Sequence, residues 1–217
     1  MLGAAPGSLP PAGTPNYFVS ESQVSFSFEV RTFSTSNNYT TGTFTVAPVS
    51  VSQSPYDTTF DGNPIIVPQA GTTTKLNTLE DRLLQKVPYR RIGSAESLWV
   101  VHSVMATPNS TVLPQWAQID VSGGTISATA VQQQIYAPDS TLYRWIGSLS
   151  VDKDGNMALG YSTSSSSTYP SIAYSGRFAA NTPGTLSQSD TQVVVGEGAE
   201  TNTCGGTACD GWETTHR

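Results

Sequence analysis

Residues 142–177, LYRWIGSLSVDKDGNMALGYSTSSSSTYPSIAYSGR, constrain the fold more than any other part of the chain. Residues 145–151 and 157–163 are two apolar-alternating runs separated by Asp152-Lys153-Asp154-Gly155-Asn156. That break predicts a β-hairpin. Gly155 and Asn156 adopt left-handed backbone angles at little steric cost, and the aspartates accept hydrogen bonds from free turn amides. A serine loop at 164–167 leads to a third run at 171–177, and residues 191–195 supply a fourth.

The same pattern recurs upstream. Val24, Phe26, Phe28 and Val30 alternate with Ser25, Ser27 and Glu29, which predicts a half-buried strand. Residues 43–51 alternate again, with Pro48 marking an edge or a bulge. Residues 97–105, 115–121 and 125–135 give three more strands, the last two joined by Ser122-Gly123-Gly124. Residues 52–75 read as a loop. The spacing of Leu76, Leu79 and Leu83 leaves a helical turn and an irregular strand lead-in both open, with Pro88 following soon after. The class is therefore all-β. Sets of three or four strands, each spanning about 45–50 residues, favour antiparallel meander blades of a β-propeller, with a β-sandwich as the alternative. The length suits roughly four blades. No closing strand follows GWETTHR, so an incomplete propeller that continues beyond position 217 is expected. Residues 1–16, with four of the fourteen prolines, read as a flexible lead-in to a propeller-like domain at 17–217.

Composition narrows the compartment and the partners. Charged residues make up 12% of the chain, against roughly 25% in an average soluble domain. Hydroxyl and amide side chains take their place, as in secreted β proteins. A net charge of −6 with only three lysines argues against nucleic acid as a partner. No apolar run reaches the length of a membrane span, so no membrane insertion is expected. The first sixteen residues lack the charged and apolar regions of a signal peptide, so secretion to the extracellular space would use a signal upstream. Cys204 and Cys209, in CGGTAC, are spaced to close a small disulfide loop, which fits an oxidising compartment better than a metal site with few other ligands nearby.

Two segments carry a resemblance: QAGTTTKLNTLEDRLLQKVPYRRIGSAESLWVVHSV, and QIYAPDSTLYRWIGSLSVDKDGNMALGYSTSSSSTYPSIAYSGR. They are similar to a family of large bacterial secreted proteins of uncharacterised function, over roughly residues 26–195 and most specifically over 136–177. The resemblance implies a β-propeller of the sialidase and Asp-box type that continues into further strands. Two positions depart from the family pattern: Tyr143 stands where it tends to have His, and Arg91 where it tends to have Asn. The Asp-box pattern Ser-x-Asp-x-Gly-x-x-Trp is also not met, because Ser150-Val151-Asp152-Lys153-Asp154-Gly155 has one residue too many before the glycine. Sialidase-like describes architecture only, and function does not follow from fold.

Several residues are candidates for chemistry. Arg82, Arg90, Arg91, Arg144 and Arg177 offer guanidinium forks for a carboxylate, with Glu96, Asp81, Tyr89 and Tyr174 as companions, or else they bridge strands. Tyr143, at its altered position, is a further binding candidate. Tyr169, beside Pro170, is an expected exposed aromatic for carbohydrate binding. Asp152, Asp154 and Asn156 also read as the opening of a D-x-D-x-N calcium loop. The glycine comes too early and no later acid follows, so a plain turn is preferred and no cofactor is expected. His102 shares a face with Val100 and Val104 and reads as a core histidine. The chain is therefore expected to be an extracellular propeller domain binding a glycan or a protein. A sialidase-like glycoside hydrolase is the first alternative. The second is a structural propeller fragment with its active site in sequence not present here.

Overall fold

The computed structural model describes residues 9–22, 24–36, 38–58, 62–107 and 110–201, with the backbone of 203–204 and 207–208. The fold is all-β, and a 3-10 turn at Ser122–Gly124 is the sole helical element among these residues. Three four-stranded antiparallel sheets follow one another along the chain. Sheet I contains β1 (Asn16–Ser22), β2 (Ser27–Thr35), β3 (Gly42–Phe44) and β4 (Val49–Ser52). In it β1 lines one side of β2, and β3 and β4 share the other. A short ladder of β5 (Ile65–Val67) and β6 (Leu76–Asn77) comes next. Sheet II is the meander β7 (Tyr89–Ile92), β8 (Ala95–Met105), β9 (Val112–Asp120) and β10 (Gln132–Ile135). Sheet III is the meander β11 (Tyr143–Val151), β12 (Met157–Ser165), β13 (Thr168–Arg177) and β14 (Gln188–Val194). No sheet closes on itself among the described residues.

Sheet II is covered on both faces, which is why β8 reads as a nearly continuous apolar run. Leu98, Val100, Ala117 and Ile119 pack with Phe28, Val30 and Val51 of sheet I. On the opposite face Trp99, Val101 and Trp116 pack with Leu149, Val151, Met157, Leu159 and Tyr161 of sheet III. Trp99 and Trp116 stack with ring centroids 6.0 Å apart. His102 is fully buried on the sheet I side, edge-on to Phe28 and Tyr56. Its Nδ1 lies 3.0 Å from the Asp81 carbonyl oxygen and its Nε2 3.0 Å from Gln53 Oε1. It is a core histidine.

The contact between sheets II and III runs along β11. An extra residue at Ile146–Gly147 shifts the register with β12 and puts Ile146 at φ 52°. That left-handed angle is costly for a β-branched residue. The bulge turns the Ile146 N–H onto Ser103 Oγ of β8 at 3.0 Å. A glycine is required beside it, since a Cβ on Gly147 would lie 2.7 Å from Val101 Cγ2. Beyond the bulge, side chains from the sheet II region cover the free edge of β11. The Gln85 amide accepts from the Leu149 N–H at 2.5 Å and donates to its carbonyl at 2.6 Å. Arg90 Nε donates to the Val151 carbonyl. These bonds satisfy an edge that would otherwise be open to another strand.

The structure corrects the sequence pattern in several places and decides one that it left open. The 43–51 run divides into β3 and β4, and β5 lies within the 52–75 loop. Val24 and Phe26 do not lie in a strand: β2 begins at Ser27, Val24 is exposed, and Phe26 takes φ 44° in the turn from β1. The 76–84 segment is a strand lead-in and not a helical turn. It is β6 followed by Leu79 and Glu80, both left-handed, held by Asn77 Oδ1 and Thr78 Oγ1. Of residues 125–135 only β10 pairs as a strand. β7 is an additional strand, its Tyr89 packed against the core shared with sheet I. Residues 1–8 of the proline-rich lead-in lie outside the described residues, and the Leu9 carbonyl accepts a hydrogen bond from Arg91.

Candidate functional site

The 152–156 turn is a hairpin turn built on Asp152. Its Oδ1 accepts the Asp154 and Asn156 amides, both at 2.9 Å, and its Oδ2 accepts Asn156 Nδ2 at 2.8 Å. Gly155 takes φ 87°. Burial acts to raise the Asp152 pKa, but the Asn156 and Asp154 donors outweigh it and the carboxyl ends below the usual range. Asp154 meets Lys153 Nζ at 2.7 Å. A carboxylate whose two oxygens take three N–H donors is engaged as a turn cap. No group of three His, Cys, Asp or Glu side chains is placed to hold a metal among the described residues.

Arg144 is buried and fully engaged. Its Nε and Nη2 lie 3.0 and 2.5 Å from Asp190 Oδ2, Nη2 also meets Asp139 Oδ2 at 2.6 Å, and Nη1 donates to the Leu142 carbonyl. Asp190 Oδ1 accepts the hydroxyls of Tyr136 and Tyr161, at 2.8 and 2.7 Å. Burial would raise Asp190, yet the Arg144 guanidinium and the two phenols hold its carboxyl below the usual range. Burial likewise raises Tyr161, and the bond to Asp190 raises it further. The cluster ties the residue that follows β10 to β11, β12 and β14, and Arg144 serves both carboxylates.

The remaining candidates are dispersed. Tyr143 packs beside Val67, Leu76, Val112 and Trp145, and burial raises its pKa. Tyr169 stands at the start of β13, against the Gly71 loop. Arg82 is exposed and pairs with Glu80 at 2.8 Å. Glu96 is buried, accepting the Tyr89 hydroxyl at 2.7 Å and the Gly123 amide at 3.4 Å. Antiparallel pairing separates Tyr143, opposite Ser164, from Arg177, opposite Met157 at the other end of β12. The pairing of Thr203–Cys204 with Thr207–Ala208 turns the cysteine segment back on itself. Cys209 and the Cys204–Cys209 disulfide lie outside the described residues.

Two candidates do converge. Tyr174 and Arg177 line a pocket of about 380 Å³ at the turn end of sheet III, together with Phe178, Asp152, Asn156 and Arg90. Its central strip is the cross-strand row Ser150, Ala158, Gly176 and Gln188, small in three of four positions. Tyr174 and Phe178 are 41% and 56% exposed. Phe178 and Gln188 were not among the sequence candidates. The signal for Phe178 was present: Tyr174, Gly176 and Phe178 fall on one face by period two.

No protein family, curated protein or solved structure matches the chain.

Proposed function

We propose that this chain is an extracellular binding domain of β-propeller-like architecture that takes a glycan at the turn end of sheet III. The propeller reading is supported by three successive four-stranded antiparallel sheets, the last two of them meanders, stacked face to face. One observation carries the binding reading: the pocket of about 380 Å³ sets two exposed aromatic rings beside guanidinium, amide and hydroxyl groups. Sugar rings stack on such rings through their apolar faces while their hydroxyls meet polar neighbours. Binding is favoured over hydrolysis because Asp139, Asp152, Asp190 and Glu96 are already engaged by donors within the fold.

The test is a glycan array probed with the full chain, paired with a hydrolysis screen on aryl glycosides. The expected result is retention of a defined glycan set, lost in Tyr174→Ala and Phe178→Ala, with no aryl glycoside turned over. Turnover abolished by the same substitutions would overturn the binding reading in favour of a glycosidase.

A further inference from the structure

Tyr174, Gly176 and Phe178 share the face of sheet III that is turned away from sheet II, because Leu159, Tyr161 and Ala173 fill the other. Two exposed rings thus stand at either end of a bare glycine. Four residues of extended chain separate them, about 13 Å at the usual strand rise. One sugar ring stacked on Tyr174 does not reach Phe178. The fold itself demands the glycine between them, since a Cβ on Gly176 would lie 2.8 Å from the Met157 carbonyl oxygen. Gly160 is different. It pairs directly with Tyr174 on the same face, within a β12–β13 register that is unbroken from Met157 to Thr163. A Cβ there would meet the Ser148 and Ala173 carbonyl oxygens at 3.8 and 3.9 Å, which is ordinary contact. Glycine weakens a strand, and one that packing does not require commonly marks a place where another molecule comes close. The Tyr174 ring therefore has bare backbone beside it both along the strand and across the sheet.

The groups open to a ligand beside these rings carry no charge. Ser150 and Gln188 are exposed and line the pocket of about 380 Å³ with a hydroxyl and a side-chain amide. The charged residues that line it are engaged within the fold. Asp152 takes the Asp154 and Asn156 amides and Asn156 Nδ2. Arg90 donates to the Val151 and Tyr89 carbonyls. Arg177 alternates with Ala173 and Ser175, which puts it on the sheet II side of β13, where it is buried and its Nη2 donates to the Asn181 carbonyl at 3.0 Å. Uncharged hydroxyl and amide groups beside apolar ring faces suit a neutral sugar, whose hydroxyls and C–H faces they complement.

Resting on the glycan reading above, we propose that the ligand is a neutral polysaccharide, bound as an extended run of about three sugar units that covers the roughly 13 Å from Tyr174 across Gly176 to Phe178. Each aromatic ring stacks on one sugar, and the unit between them lies over Gly176. Gly160 keeps the cross-strand side of Tyr174 clear for the saccharide.

The experiment is calorimetric titration of the full chain with cello-, manno- and malto-oligosaccharides of increasing length, from the monosaccharide upward, and with an oligogalacturonate as the charged counterpart. One neutral series is expected to gain about tenfold in affinity between the disaccharide and the tetrasaccharide, the worth of one further stacked ring, with no change as salt rises. Phe178→Ala is expected to bring the tetrasaccharide down to the affinity of the disaccharide. Gly160→Val suits a strand better than glycine does, so it is expected to weaken binding without lowering the Tm of the free protein. Full affinity in a monosaccharide overturns the extended mode, and so does a length dependence that survives in Phe178→Ala. Undiminished binding in Gly160→Val overturns the path beside Tyr174. Tighter binding of the oligogalacturonate than of any neutral series overturns the neutral ligand. Each of these results leaves the glycan reading standing. If no saccharide binds, in solution or on the array, that reading itself falls.

Discussion

Lowering the pH should destabilise this fold through His102 before the carboxylates of Asp139, Asp152 and Asp190 contribute. The ring is enclosed between Phe28 and Tyr56, and burial pulls its pKa from 6.5 down to about 4, a shift only partly offset by the Asp81 carbonyl. Between those two values the unfolded chain binds a proton that the native ring excludes. Stability is therefore complete above pH 6.5 and falls as pH drops toward 4. A displacement of this size corresponds to about 3 kcal/mol. That is a large part of the roughly 5–15 kcal/mol by which domains are usually stable. Asp139, Asp152 and Asp190 have lowered pKa values, so their contribution is lost at lower pH, beneath the histidine window. The assay is urea unfolding at half-unit steps from pH 7.5 to 3.5, comparing wild type with His102→Gln. The variant should be less stable at pH 7 and should lack the decline between pH 6.5 and 4. His216 is common to both proteins and cancels. Parallel profiles for the two proteins would refute the claim that the fold excludes the protonated ring.

Two further substitutions probe the contacts that hold sheet III. Asp190→Asn takes from Arg144 the partner that contacts both Nε and Nη2 and should cost about 3–5 kcal/mol in denaturant unfolding. Arg144→Met combined with Asp190→Asn should recover part of that loss. Gly147→Ala places a methyl 2.7 Å from Val101 Cγ2, which should cost about 1–3 kcal/mol by overpacking. Val101→Ala in the same chain should relieve part of that cost, read as a coupling term in a double-mutant cycle.

How much of this could be read from the sequence depends on whether a feature belongs to one strand or to two sheets. The β11–β13 meander was legible because its alternation is regular and Asp152 and Gly155 mark the turn. The β1–β2 turn was not. Its SQVSF segment contains no Gly or Pro, and the apolar alternation of Val24 and Phe26 runs straight through it. β7 was hidden by the two arginines in Tyr-Arg-Arg-Ile, whose stems lie along neighbouring surface while their heads reach backbone carbonyls. The pocket was half legible. Tyr174 and Arg177 are near in sequence, but Arg90 arrives from another sheet, through packing that no single strand's periodicity encodes. Asp190 was missed for the same reason: it sits in an exposed strand, and only the tertiary fold brings Arg144 and two tyrosines to it.

The covered edge of β11 gives the assembly a direction. Gln85 and Arg90 occupy the backbone groups that a docking strand would need there. At the opposite flank of sheet III no strand pairs with the outer side of β14 among the described residues, and Val193 and Val194 are exposed. Sheet III therefore has one flank open to added backbone, at β14, and one whose groups at Leu149 and Val151 are already taken, at β11. A segment that lengthened this sheet at β14 would leave the β11 bulge and its contact with Ser103 of sheet II undisturbed.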